Sequence, residues 1–143
     1  MPEGSCSFQM AGAVPVVTAP AEIDVSTAAQ LRAMLVQWAT RGHSTVVVDL
    51  TGTAFCDSAG LTVLVRAHKQ ALADGGGLRL VLPADGTVVR VLTLTGLDRV
   101  IPYFATLGQA LAQVPAAALR PRRPSRSPGM RSLADRNRPG RPA

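Results

Sequence analysis

Ser44-Thr45-Val46-Val47-Val48-Asp49-Leu50, then Thr51-Gly52-Thr53, then Phe55-Cys56-Asp57-Ser58-Ala59-Gly60-Leu61, is the stretch whose reading decides the fold. Its first part is β-branched and continuously apolar at its centre, the composition of a strand covered on both faces and therefore central in its sheet. Thr51-Gly52-Thr53 turns the chain, and after Phe55 and Cys56 a helix is predicted to begin near Asp57 and Ser58. Leu61, Leu64, Val65, His68 and Leu72 recur at intervals of three and four, one helical face, and Gly75-Gly76-Gly77 ends the helix.

The same alternation extends to either side. Upstream, Ala13-Val14-Pro15-Val16-Val17-Thr18 reads as a strand, with Pro15 pushing it toward a sheet edge and Pro20 closing it. Asp24, Ser26 or Thr27 can cap a first helix in which Leu31, Met34, Leu35 and Trp38 share a face, and Gly42 stops it. Downstream come a strand over Leu78–Leu82 and a helical stretch from Pro83 carrying Val88, Val89, Val91, Leu92 and Leu94. Thr95-Gly96-Leu97 has the form of a helix end, with Gly96 left-handed and Leu97 packing back. A short strand around Val100-Ile101-Pro102-Tyr103 and a helix over Leu107–Val114 complete the pattern, which is that of an α/β domain. Residues 1–12 are expected to be a flexible N-terminus, although Met1–Ala11 can equally be a weak first strand.

With 143 residues the chain is long enough for one ordinary domain. Apolar residues are 47% and aromatic residues 3%, so the core is built from Val, Leu, Ile and Ala. The net charge of +6 is concentrated in one segment: from Ala116 onward there are eight arginines and one acid, which leaves the remainder at −1. A near-neutral domain with a basic tail differs from a basic nucleic-acid-binding domain, whose folded surface carries the charge. Residues 115–143, rich in Pro, Arg, Ser and Ala, are expected to be disordered. Two readings of this tail stand: a solvated extension without a partner, or attachment to nucleic acid, an acidic membrane or an acidic protein. Ser125 and Ser127, each beside arginine, are candidate modification sites within it. Cys6 and Cys56 lie in unlike settings and make no disulfide framework, no apolar run reaches the length of a membrane span, and the N-terminus has no signal-peptide pattern. The expected compartment is the cytoplasm.

Catalytic apparatus is missing from the pattern. His43 and His68 are separated from each other and from both cysteines, so no metal site is expected. The sole lysine, Lys69, lies within a helix rather than a phosphate loop. Cys56 occupies the first glycine position of a hydrolase elbow around Ser58, and His68 lies ten residues along the same helix, too far to activate it. The chain therefore reads as a non-enzyme without cofactors. Trp38 reads as a core or rim residue, Cys56 as a small buried hydrophobe and His68 as a helix residue at the packing boundary.

Taken locally, Ser58 is a plain helix cap, and Asp57 is likewise a candidate turn or cap residue. The helix N-terminus also favours a phosphate, by about 0.3–1 kcal/mol per charge at an exposed surface. The wider pattern adds to this: Ala21-Glu22-Ile23-Asp24, Thr27-Ala28, Val46–Leu50, Phe55–Leu61 and Thr95-Gly96-Leu97 follow one another with a distinctive order and spacing. In these elements the sequence, over Ala13–Val114, resembles the STAS domain family, and most closely its bacterial anti-sigma factor antagonists. The resemblance implies an α/β fold with a mixed four- to five-stranded sheet and helices packed mainly on one face. It implies that Ser58 is phosphorylated by an anti-sigma factor that is itself a serine kinase, that the unphosphorylated form binds this kinase and frees the sigma factor, and that a PP2C-type phosphatase resets the switch. It further implies a partner-binding set of Asp24, Asp57, Ser58, Ala59, Gly60 and Leu61, with Asp57 orienting the loop. Two positions depart from the family pattern: Ala21, preceded by Pro20, replaces the usual glycine, and Ala59 replaces a frequent second serine. Competing readings are a STAS scaffold or ligand-sensing protein that is not phosphorylated, and a nucleic-acid binder acting through the tail.

Overall fold

The computed structural model describes residues 6–112 and 114. Strands β1 (Ser7–Ala11) and β2 (Val14–Thr18) form a hairpin, followed by β3 (Glu22–Ile23), α1 (Val25–Thr40), β4 (Thr45–Asp49), β5 (Phe55–Cys56), α2 (Ser58–Ala73) and β6 (Gly77–Val81). Helix α3 (Thr87–Thr95), a 3-10 turn (Leu97–Arg99), β7 (Tyr103–Phe104) and α4 (Leu107–Ala112) complete the order. The five-stranded sheet has the order β1-β2-β4-β6-β7; only the β1–β2 pair is antiparallel. β3 and β5 form a separate parallel pair.

β4 is central, as its composition requires, with β2 on one side and β6 on the other. Its side chains alternate between two cores. Val46 and Val48 pack with Leu31, Leu35, Leu64, Leu80 and Leu92 beneath α1, α2 and α3. Val47 turns the other way and packs with Val14, Val16, Val81 and Ala110, where α4 covers the sheet. The sheet is therefore mixed and five-stranded, with three helices on one face and a short one on the other.

Several boundaries differ from expectation, each for a local reason. Ser7–Ala11, which the sequence leaves open between a flexible start and a weak first strand, is an edge strand that pairs residue by residue with Thr18–Val14. β1 thus takes the edge that Pro15 was expected to mark, and β2 is internal. Proline is accommodated there because the ladder with β4 starts only at Val16. The last strand is Tyr103–Phe104, since Val100 closes the 3-10 turn through its N–H to the Leu97 carbonyl at 2.9 Å. α3 begins at Thr87, capped by Gly86, and Gly96 ends it at φ +81° as anticipated. The basic run from Ala116 lies outside the described residues.

His68 is more than a residue at the packing boundary. It is 4% exposed and its Nδ1 accepts the Leu78 N–H at 3.0 Å, so one side chain ties α2 to β6. Burial holds its pKa below the ordinary 6.5, against the opposing pull of the Val100 carbonyl. The folded state thus favours neutral His68, while the unfolded chain takes up the proton at higher pH. Stability is full above 6.5 and falls as pH drops from there through the folded value. Urea denaturation should show His68→Gln losing about 1–3 kcal/mol at pH 7.5. The gap between wild type and variant should narrow on acidification; a constant gap would remove His68 from the acid response.

Candidate functional site

The candidate site is built where β3 and β5 end. Glu22 pairs with Phe55 and Ile23 with Cys56, in parallel, so the two chains leave the pair together as Asp24 and Asp57. The pairing is reinforced on both flanks. The Ala54 N–H donates to the Ala21 carbonyl at 2.8 Å, the Asp57 N–H to the Ile23 carbonyl at 3.0 Å, and the buried Thr53 hydroxyl to the Pro20 carbonyl at 2.8 Å. Pro20 and Ala21, which depart from the family pattern, are thereby locked against the loop that leads to Ser58.

Each aspartate caps a helix. Asp24 Oδ1 accepts the N–H groups of Ser26 and Thr27, both at 3.0 Å, and the Asp24 N–H donates back to Thr27 Oγ1 at 2.9 Å, closing a reciprocal capping box. Hydrogen bonds from the Thr27 N–H and, next, the Ser26 hydroxyl hold the Asp24 carboxyl below its ordinary pKa, so it is ionised at neutral pH. Asp57 Oδ1 accepts the Gly60 N–H at 3.1 Å and caps α2.

Ser58 is consequently the first residue of α2 and not its cap, which differs from the local reading of the sequence. With Asp57 holding the cap position, the Ser58 side chain is exposed, and its hydroxyl makes no hydrogen bond to a described residue. Neighbouring hydroxyls are all engaged: Ser26 donates to Asp24, Thr27 to the Glu22 carbonyl, Thr53 to Pro20, and Thr62 to the Ser58 carbonyl at 2.8 Å. The unpaired N–H groups and dipole of the α2 N-terminus surround a free hydroxyl.

The other members of the expected set divide. Ala59 and Leu61 are half-buried and pack against the main core. Gly60, expected among the partner-binding residues, is buried and presents no side chain. A Cβ there would lie 2.5 Å from Ile23 Cγ2 and 2.7 Å from Cys56 Sγ, so its part is to let α2 approach the β3–β5 pair. Burial, with the Asp57 charge adding to it, pushes the Cys56 thiol up to about 11, so it stays protonated at neutral pH and is no nucleophile. Two residues that sequence reasoning passed over stand out: Val25, the first residue of α1, is 74% exposed, and Phe55 is 49% exposed. In sequence Phe55 looks like part of an apolar run, yet strand alternation turns Cys56 inward and Phe55 outward. Among the described residues no group of three or more metal-ligating side chains occurs, and no helix is long and apolar enough to cross a membrane.

This architecture has relatives. The family model described as STAS domain matches residues 7–110. The anti-sigma-F factor antagonist RsfB of Mycobacterium tuberculosis is 31% identical over 102 residues, 71% of this chain and 81% of that one. The crystal structure of an anti-sigma factor antagonist from Mycobacterium paratuberculosis superposes with a TM-score of 0.69 at 29% identity, covering 79% of this chain and 97% of the other. A STAS domain protein from Planctomyces limnophilus gives a TM-score of 0.62 at 26% identity over 76% and 95% of the two chains. The chain belongs to the STAS domain family and, within it, to the anti-sigma factor antagonists.

The contact at Gly60 is directly testable. Ile23 is β-branched and fully buried and has little freedom to retreat. Gly60→Ala should therefore cost about 1–3 kcal/mol in chemical denaturation, despite the better helix propensity of alanine. A neutral or stabilising result would show that the β3–β5 pair yields.

Proposed function

We propose that this chain is a partner switch: its unphosphorylated form binds an anti-sigma factor through the face around Asp24, Val25, Phe55, Asp57 and Ser58, and phosphorylation of Ser58 abolishes binding. The observation that carries this reading is the free Ser58 hydroxyl among neighbours that are all engaged. A kinase can take it without breaking a bond of the fold. The phosphate would sit at the α2 N-terminus, where it is tolerated, yet it would add about 1.5 to 2 negative charges beside Asp57 and near Asp24. A surface that fits the bare hydroxyl then meets both bulk and charge. With Ala59 next to it, Ser58 is the single hydroxyl of Asp57-Ser58-Ala59-Gly60-Leu61.

The partner of this reading is an anti-sigma factor with serine kinase activity, whose capture frees a sigma factor in the cytoplasm; a PP2C-type phosphatase restores the hydroxyl. The chain itself carries out no chemistry. Ala59 and Leu61 anchor the start of α2 in the core, while Asp57 caps it beside Ser58.

With the anti-sigma kinase as partner, Ser58→Ala should bind with or without ATP, and Ser58→Asp should bind at least about tenfold more weakly, a difference of about 1.4 kcal/mol or more. Calorimetry that gave equal affinities for the two variants would refute the switch. The apolar flank has its own test. Phe55→Ala and Val25→Ala remove exposed side chains and should leave the melting temperature nearly unchanged, while the double variant weakens the complex by about tenfold or more. Unchanged affinity would place the partner elsewhere.

A further inference from the structure

A groove of about 260 Å³ opens between α1 and α2, and none of Asp24, Val25, Phe55 or Ser58 lines it. Its floor is apolar and deep: Leu35, Val46 and Leu78 are each 5% exposed or less. The cleft exists because small residues, Ala39 on α1 and Ala67 and Ala71 on α2, line it where larger ones would bring side chains into contact. Its charge is unevenly distributed. Arg32 and Arg66 line it at one level, nine and ten residues after the paired Ile23 and Cys56, and neither has a hydrogen bond or ion pair with a described residue. Past the C-terminal ends of the two helices lie His43 and Asp74, and Asp74 Oδ2 accepts from Gln70 Nε2 at 3.3 Å.

We infer that this groove binds a small monoanionic amphiphile, with its carboxylate between Arg32 and Arg66 and its apolar chain along Leu35, Val46 and Leu78. Each guanidinium is a planar fork of donors that matches a carboxylate. Asp74 opposes a second negative group at the far end and so selects against dicarboxylates. The volume lies just below the roughly 300–1,000 Å³ usual for small-molecule sites and suits one short chain. This goes beyond the partner switch and does not depend on it.

The full-length protein, labelled with ¹⁵N, is titrated with octanoate, 1-octanol, suberate and acetate. Octanoate should give saturable shifts at the amides of Leu35, Ala39, Ala67 and Ala71, with affinity at least tenfold above that for octanol or suberate and no saturation with acetate. Arg32→Gln with Arg66→Gln should lower octanoate to the level of octanol, and Ala71→Leu, which fills the groove, should abolish both. Absence of saturable shifts, equal affinity for octanol, or octanoate binding unaffected by the double arginine variant would each overturn the inference. Octanoate shifts that survive Ala71→Leu would also overturn it, by assigning capture to the arginines from Arg120 onward. The arginine pair is exposed, so its substitution tests the site on a folded protein even if Ala71→Leu does not fold.

Discussion

The face around Ser58 depends on a parallel pairing only two residues long, Glu22–Ile23 against Phe55–Cys56. Two residues of ladder are weak by themselves, and the pair holds because each flank adds a hydrogen bond and because α2 is pressed onto it at Gly60. Without a side chain at that glycine, Ile23 and Cys56 fill the space a Cβ would take, and the helix start is fixed against both strands. Two caps then fall side by side. Asp24 and Asp57 are placed by register, and the first residues of both helices, Val25 and Ser58, are placed by their caps.

That arrangement separates holding from presenting. Asp24, Thr27, Thr53, Asp57 and Thr62 spend their polar groups on the backbone, so the local structure is satisfied without Ser58. Capping bonds also keep Asp24 ionised, so the surface next to Ser58 is already negative before any modification. The phosphate of the proposed switch would therefore act chiefly on whatever approaches from outside, and the helix terminus would tolerate it.

Much of this was legible in the residues. Val46, Val47 and Val48 announced a strand covered on both faces, the spacing from Leu61 to Leu72 announced α2, and Gly96 announced the end of α3. What escaped had physical causes. β1 carries no continuous apolar run, and it becomes a strand only because β2 offers an edge with matching register. β3 and β5 are too short to give a period. Ser58 read as a cap because Ser and Asp are nearly equivalent cap formers, and only geometry shows that Asp57 accepts the Gly60 N–H. The depth of His68 was hidden for a similar reason: a histidine at a helical core position looks marginal until a strand N–H is seen to bond its ring. The groove between α1 and α2 depends on alanines, which sequence patterns count as good helix formers without showing the space they leave.

The free hydroxyl of Ser58 has a consequence for how information is stored. A side chain that supports nothing in the fold can be altered and restored without the domain changing shape, so the two states of the proposed switch would differ in surface chemistry and hardly at all in folding free energy. Such a memory needs no conformational barrier and suffers no wear from repeated cycling. In the proposed switch, its lifetime would be set by the enzymes that write and erase it, and the protein would serve as the page.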